Sequence, residues 1–227
     1  MPTYVMSDIH GEMDRFDAML NKISFTEQDT LYILGDVVDR GADGIALLRK
    51  IMTMPNVYMT LGNHEDMMLR YFSPNATQED AYRWSRNGCQ PTLNAMVCLH
   101  DRVQARILDY LQALPTHYKI HVNQTLYYLV HAFPGKNHRD EVWYRPEVWE
   151  ENPVSPCRVI IGHTPVVIFG RTDEERRAQL QRYELDGDHM RILHASGFTC
   201  IDCGCGHNIP GKALACLRLE DWEEFYI

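Results

Sequence analysis

Five short apolar segments of the sequence each run into residues that can bind a metal ion. They are rich in β-branched and aromatic residues and have the length of β-strands. The segments are Thr3–Met6, Thr30–Leu34, Val57–Leu61, Leu126–Val130 and Arg158–Ile161. The polar residues that follow them are Asp8 with His10, Asp36, Asn63, His131 and His163. Because sites in open α/β sheets form at the carboxyl ends of strands, these endings predict one shared site.

Helical patterns separate the early strands. Apolar residues recur at helical spacing over residues 16–23 and again over residues 45–52. Strand and helix in alternation predict βαβ units and a largely parallel sheet. Turn residues at Leu185–Asp188 and Ala195–Gly197 predict hairpins, so the C-terminal third is expected to be antiparallel. Further strands are predicted at Tyr118–Val122, Phe198–Ile201 and Ala213–Leu219.

A helical insertion is predicted near residues 67–116, laid over the edge of the sheet. Its clearest part is an amphipathic segment in which Val103, Ile107, Tyr110, Leu111 and Leu114 share one face. No linker or internal repeat marks a second domain, and 45% of the 227 residues are hydrophobic, enough for a sizeable core. We therefore expect one catalytic domain over residues 1–227.

Charge and composition exclude several function classes. The formal net charge of −9 predicts no binding to nucleic acid, because an acidic surface repels phosphate backbones. No apolar run approaches the ~18 residues of a membrane span, and the first residues lack the basic region of a signal peptide. Seven cysteines are an odd number and predict no disulfide framework. A cytoplasmic protein is expected.

The ligand types narrow the choice of metal. Aspartate, histidine and asparagine without thiolates suit a divalent ion such as Mn, Fe or Zn, with Mn the first choice. Six ligands exceed what one ion needs beside a substrate, so two ions that share Asp36 are predicted. Two such ions ~3.5–4 Å apart clamp the oxygens of an in-line displacement, as in phosphatases, and turn a bridging water into a hydroxide nucleophile near neutral pH.

Extended motifs surround these ligands. They are Asp8-Ile9-His10-Gly11, Gly35-Asp36-Val37-Val38-Asp39-Arg40-Gly41, Gly62-Asn63-His64-Glu65, His131 and Gly162-His163-Thr164-Pro165. Together they resemble the signature of the phosphoprotein phosphatase family of calcineurin-like metallophosphoesterases. The resemblance runs from Asp8 to about Leu219. It implies an α/β sandwich of central mixed β-sheets flanked by helices.

The resemblance also implies a role for each matching residue. Asp8 and His10 hold the first metal, Asp36 bridges, and the second metal is held by Asn63, His131 and His163. In this family pattern His64 is the general acid and Asp39 orients it. Phosphate is bound by Arg40, Asn63 and Arg145.

One branch of that family is favoured. Trp84–Cys89 with Thr92 is similar to the helical insertion of the bacterial and bacteriophage branch. This implies a serine/threonine protein phosphatase that also accepts tyrosine phosphate and small aryl phosphates, with phosphoproteins or phosphopeptides as partners. Two positions depart from the family pattern. Ser7 stands where most members have glycine, and Leu61 stands where the eukaryotic protein phosphatases have arginine.

Two alternatives remain. A symmetrical dinucleoside tetraphosphate hydrolase shares the metal residues, although such enzymes usually depart from the Asp39-Arg40-Gly41 motif. A regulatory protein that has lost activity is disfavoured by the intact His64 and Arg40. Near the C-terminus Cys200, Cys203, Cys205 and His207 are spaced too tightly for a zinc knuckle, so free thiols are predicted there.

Overall fold

The computed structural model describes residues 1–227, which form ten strands and eight helices. The strands are β1 Thr3–Met6, β2 Thr30–Ile33, β3 Val57–Met59, β4 His117–Val122, β5 Thr125–Val130, β6 Arg158–Ile161, β7 Leu193–His194, β8 Thr199–Cys200, β9 Ala215–Arg218 and β10 Glu224–Tyr226. The helices are α1 Met13–Lys22, α2 Gly44–Ile51, α3 Asn63–Tyr71, α4 Gln78–Arg86, α5 Gln90–Val97, α6 Asp101–Gln112, α7 His138–Trp143 and α8 Asp173–Asp186.

The strands form two mixed sheets. The first has the order β10-β9-β1-β2-β3, in which β1, β2 and β3 are parallel and β9 is antiparallel to both of its neighbours, β1 and β10. The second has the order β4-β5-β6-β8-β7, with β5, β6 and β8 parallel. The predicted α/β architecture of mixed sheets flanked by helices is thus confirmed.

Alternation along β1 explains why the sheets pack as a sandwich. Val5 belongs to the core between the two sheets, together with residues such as Leu217 of β9 and Ile160 of β6. Met6 points to the opposite face and packs in a second core with Phe16 of α1 and other helical residues. Successive side chains of a strand point to opposite faces, so one apolar strand can serve both cores.

The predicted insertion is present as α3 to α6. It connects β3 to β4, which are edge strands of the two different sheets. On α6, Ile107 and Leu111 are buried, as the amphipathic pattern predicted. None of the eight helices has both the length and the apolar character that crossing a membrane requires.

One turn prediction is wrong. Leu185–Asp188 is not a hairpin: residues 173–186 form α8, and Gly187 ends it with a left-handed φ of 66°. The helix has no buried residue, so it lacks the apolar stripe by which a helix is recognised in sequence. The other predicted turn, Ala195–Gly197, does join the antiparallel strands β7 and β8. The short strands β7 and β10 were not predicted.

Candidate active site

The predicted metal ligands lie at the carboxyl ends of β1, β2, β5 and β6 and at the start of α3. Several of these loops adopt strained backbone. Nine residues other than glycine have positive φ, and six of them are predicted site residues. The six are Asp8, His10, Asp36, Asp39, Arg40 and His163. Such conformations cost free energy and persist where the surrounding structure holds them, which is typical of functional sites.

The first cluster of ligand atoms contains His10, Asp36 and His64, all buried. Nε2 of His10 lies 3.6 Å from Oδ2 of Asp36, and Nε2 of His64 lies 3.8 Å from the same oxygen. Nδ1 of His10 donates to the carbonyl of Val38 at 2.9 Å, which directs Nε2 into the site. A metal-ligating histidine usually donates its other ring N–H to a carbonyl or carboxylate oxygen, which fixes the orientation of the ring.

The second cluster contains Asp36, His131 and His163, again all buried. Nε2 of His131 lies 3.4 Å from Oδ1 of Asp36, so the two carboxylate oxygens of Asp36 face different clusters. Asn63 lies in the same place, because its Oδ1 is 2.9 Å from Nε2 of His131 and 2.8 Å from Nδ1 of His163. Asp36 is the residue that the two clusters share, and its bridging of two ions stays a prediction.

Two ring nitrogens test whether cations fit here. Nε2 of His10 and Nε2 of His163 are buried and have no hydrogen-bond partner. Burial lowers the pKa of both imidazoles well below its ordinary value, so both rings are neutral, and Nε2 of His10 is the unprotonated nitrogen because Nδ1 donates to Val38. An unpaired buried polar atom is unfavourable, and a divalent cation would satisfy the lone pair of His10 Nε2. In His163 the nitrogen that faces another ligand is Nδ1, which lies 2.8 Å from Oδ1 of Asn63. The donor set therefore fits two divalent ions.

Asp8 is buried but belongs to neither cluster. Its Oδ2 accepts the backbone N–H of His163 at 3.0 Å, so it links the ends of β1 and β6. Burial, together with the nearby carboxyl of Asp202, raises the pKa of Asp8 well above its usual range. A cation beside Asp8 would favour its ionised form, and the ligand role of Asp8 stays a prediction.

His64 and Asp39 form a buried pair. Nδ1 of His64 lies 2.7 Å from Oδ2 of Asp39, as expected if Asp39 orients the imidazole. Nε2 of His64 lies within the first cluster, but it also lies 3.1 Å from Nη2 of Arg40. Because a guanidinium already faces this nitrogen, a cation bound there would have to displace Arg40. The arrangement favours the non-ligand role predicted for His64.

The helical insertion holds this pair in place, which the sequence did not predict. The indole N–H of Trp84 donates to Oδ2 of Asp39 at 2.7 Å. The hydroxyl of Thr92 accepts the backbone N–H of Asp39 at 2.8 Å. Burial raises the pKa of Asp39 to about 7, and these hydrogen bonds oppose the increase. The only sequence feature that pointed to this support of Asp39 was the presence of Trp84 and Thr92 in the helical insertion.

Glu65 is a second support that the sequence did not predict. Its carboxylate is fully buried and accepts the backbone N–H groups of Asp36, Val37 and Val38 at 2.8–3.2 Å. It also accepts the N–H of Gly62 at 3.1 Å. One side chain of α3 thereby fixes the loop that carries Asp36. Gly62 has no room for a side chain, since a Cβ there would overlap Oδ1 of Asp36.

The two predicted phosphate-binding arginines lie at different parts of the site. Arg40 is half-buried, with its guanidinium against the imidazoles of His64 and His207. Arg145 is exposed and donates from Nη1 to Oγ1 of Thr164 at 3.3 Å, next to His163. Both predicted positions are therefore at the site, and a phosphate group between them would meet two cations.

Changing Trp84 to phenylalanine should lower kcat about tenfold, because a hydrogen bond to a charged group contributes ~1.5–3 kcal/mol. The substitution removes the indole N–H from Asp39 and keeps an aromatic ring in the buried site. Metal content should not change. Trp222→Phe is the control, since its indole donates to Tyr127 away from the site. Equal loss of kcat in both variants would show that Trp84 has no specific role.

All seven cysteines are free, as predicted, and neither ligand cluster contains a thiol. Cys203 and Cys205 are buried, and burial raises the pKa of both thiols, which disfavours the thiolate that zinc requires. Replacing both with serine should leave about two metal ions per chain, measured by elemental analysis. Loss of one tightly bound zinc from this double variant would contradict the assignment as free thiols.

The protein is thus a sandwich of two mixed sheets whose paired histidine–aspartate clusters fit two divalent ions. The model of the calcineurin-like phosphoesterase family matches residues 1–194. The chain belongs to this family, whose members depend on two metal ions.

The curated proteins to which this chain is similar include enzymes named for nucleotide substrates. The symmetrical bis(5'-nucleosyl)-tetraphosphatase of Acidovorax sp. strain JS42 is 33% identical over 134 residues, which are 58% of this chain and 44% of that enzyme. The chain spans less than half the length of the curated relatives it matches. The names of these relatives do not support the predicted protein phosphatase. They favour the alternative prediction, a symmetrical dinucleoside tetraphosphate hydrolase.

Solved structures share the fold. A protein provisionally identified as a diadenosine tetraphosphatase has a TM-score of 0.62 at 17% identity, covering 100% of this chain and 92% of that one. A protein serine/threonine phosphatase from Saccharomyces cerevisiae has a TM-score of 0.57 at 14% identity, covering 97% of this chain and 73% of that one. At these identities the likeness extends to the fold alone.

Proposed function

We propose that the protein hydrolyses dinucleoside tetraphosphates symmetrically, adding one water and releasing two nucleoside diphosphates. The observation that supports this substrate is the 33% identity over 134 residues to a symmetrical tetraphosphatase. The site is compatible with a polyphosphate, because Arg40 and Arg145 approach it from the loops after β2 and α7. Two separated guanidinium groups can hold neighbouring phosphates of one chain.

Asp8, His10, Asp36, Asn63, His131 and His163 are the residues that would hold the two ions. Two divalent ions, when bound, supply Lewis-acid activation of the phosphoryl group and of the attacking water. Arg40 and Arg145 bind the phosphate oxygens and neutralise the charge that develops in the transition state. Asp39 holds the imidazole of His64 through Nδ1, and Nε2 of His64, which accepts from Arg40 in the free protein, would have to take up a proton before it delivers one to the leaving oxygen.

A second candidate is a phosphomonoesterase acting on phosphoserine and phosphothreonine. The buried His64–Asp39 pair supports it, since an alkoxide is a poor leaving group that needs a proton in the transition state. A nucleoside diphosphate leaves as a stabilised phosphate anion and needs that proton less. The pair would therefore have a larger effect on a phosphomonoester than on a tetraphosphate.

A side-by-side assay separates the two candidates. The kcat/KM of the metal-loaded protein should be at least about tenfold higher for diadenosine tetraphosphate than for a phosphoseryl peptide, with ADP as the only nucleotide product. The inactive Asp36→Asn variant controls for contaminating phosphatases. A higher kcat/KM for the peptide would favour the second candidate, and AMP with ATP as products would exclude symmetrical cleavage.

A further inference from the structure

His207 lies on the loop between β8 and β9, outside every motif that the family resemblance covers. The loop passes directly over the metal site, since a Cβ at Gly206 would overlap the ring of His10. Internal hydrogen bonds shape it: Gly204 donates its N–H to Oδ1 of Asp202 at 2.9 Å, and His207 donates its N–H to the carbonyl of Gly204 at 2.9 Å. His207 is thus held at a defined place above the site.

The imidazole of His207 contacts the guanidinium of Arg40. Nε2 of His207 lies 2.9 Å from Nη1 of Arg40, while Nε2 of His64 lies 3.1 Å from Nη2. Arginine has donors only, so both ring nitrogens act as acceptors. The backbone N–H of Arg40 also donates to the carbonyl of Gly88 at 2.9 Å. The backbone of Arg40 is therefore fixed at Gly88, and both terminal nitrogens of its guanidinium are hydrogen-bonded.

We propose that His207 is a positioning residue that aims Arg40 at the substrate phosphate. The inference rests on the phosphate-binding role proposed for Arg40 and holds for either candidate substrate. A long, flexible arginine loses conformational freedom when it binds phosphate, and a neighbour that orders it beforehand reduces that loss.

A neutral acceptor suits this task better than a carboxylate would. A carboxylate beside Arg40 would hold the guanidinium more strongly, but it would cancel the charge and repel the incoming phosphate. Burial and the nearby Arg40 lower the pKa of His207 to about 4, so its imidazole is neutral at pH 7. It can hold Arg40 without opposing the negative charge of the substrate.

Three substitutions of the metal-loaded enzyme test the proposal. His207→Ala should raise KM about fivefold with a smaller change in kcat, because the guanidinium of Arg40 loses one of its two ordering hydrogen bonds but keeps its charge. His207→Gln, whose amide oxygen can accept from Arg40, should recover most of the loss. His207→Glu should be worse than alanine, because it adds a competing negative charge. The control is His121→Ala, an exposed histidine on β4 with no hydrogen-bond partner, which should not change KM.

Binding of inorganic phosphate supplies a readout that does not depend on the substrate chosen. The phosphate concentration that gives half of the maximal rise in melting temperature should be about fivefold higher in His207→Ala than in the wild type. Adding His207→Ala to Arg40→Ala should not raise that concentration further. Equal effects of His207→Ala with and without Arg40 would overturn the proposal. So would a glutamine variant as impaired as alanine or a glutamate variant as active as the parent. Wild-type protein that binds phosphate but hydrolyses neither substrate would refute the proposed function alone.

Discussion

Replacing Asp36 with asparagine should lower kcat/KM by about 10³-fold and reduce the bound metal below two ions per chain. Its two carboxylate oxygens face the two ligand clusters, at 3.6 Å from His10 Nε2 and 3.4 Å from His131 Nε2. An amide keeps the size of the side chain but offers one weak oxygen ligand and no charge. Metal ions supply several kcal/mol of transition-state stabilisation, and each 1.36 kcal/mol corresponds to a factor of ten.

The matched control is Asp17→Asn, the same chemical change at a partly exposed carboxylate that pairs with Lys50 on the surface. This variant should keep its metal and its activity. If Asp36→Asn retained two ions and near-normal kcat/KM, the bridging position assigned to Asp36 would be wrong.

Replacing His64 with asparagine should lower kcat ~10²–10⁴-fold on a phosphoseryl peptide, the usual contribution of a positioned acid. The loss should be much smaller on p-nitrophenyl phosphate, because a stable phenolate leaves without a proton. Metal content should stay at two ions per chain, since Nε2 of His64 faces Arg40. Asp39→Asn should show the same dependence on leaving group in a milder form.

Two outcomes of the His64 experiment would contradict this role. Equal losses on every leaving group would mean that His64 binds phosphate or orients the nucleophile. Loss of a metal ion would mean that His64 is a ligand, as its membership of the first cluster would allow. Diadenosine tetraphosphate in the same series should lose less kcat than the phosphoseryl peptide, because its phosphate leaving group needs the proton less.

The sandwich and the positions of the ligands could be predicted because both depend on local patterns. An apolar segment followed by aspartate, asparagine or histidine identifies the end of a strand, and parallel strands bring such ends together. The ends of β1, β2, β5 and β6 obey this rule, and Asn63 follows β3 at the first position of α3. Strand ends differ from prediction by a residue or two, for example Met59 instead of Leu61 for β3.

The side chains that hydrogen-bond to the site residues and position them could not be predicted, because these contacts join distant parts of the chain. Trp84 reaches Asp39 across 45 residues, and His207 reaches Arg40 across 167. No periodicity or spacing encodes such contacts. Helix α8 was missed for a different reason, since it buries no residue and so carries no apolar stripe.

The substrate depends on features that the motifs do not contain. Asp39 and Arg40 favour a protein phosphatase by resemblance, whereas the curated relatives are tetraphosphatases. Both proposed reactions use the same two ligand clusters of this site. Binding surfaces usually lie on connecting segments, whose shape no local sequence pattern predicts.

Metal content measured together with activity tests the two-metal site most directly. Protein stripped by a chelator should be inactive on p-nitrophenyl phosphate, and stepwise addition of Mn²⁺ should restore kcat/KM until two ions are bound per chain. Asp36→Asn should not reach that stoichiometry under the same conditions. Full activity of the stripped protein, or full activity at one ion per chain, would contradict the account.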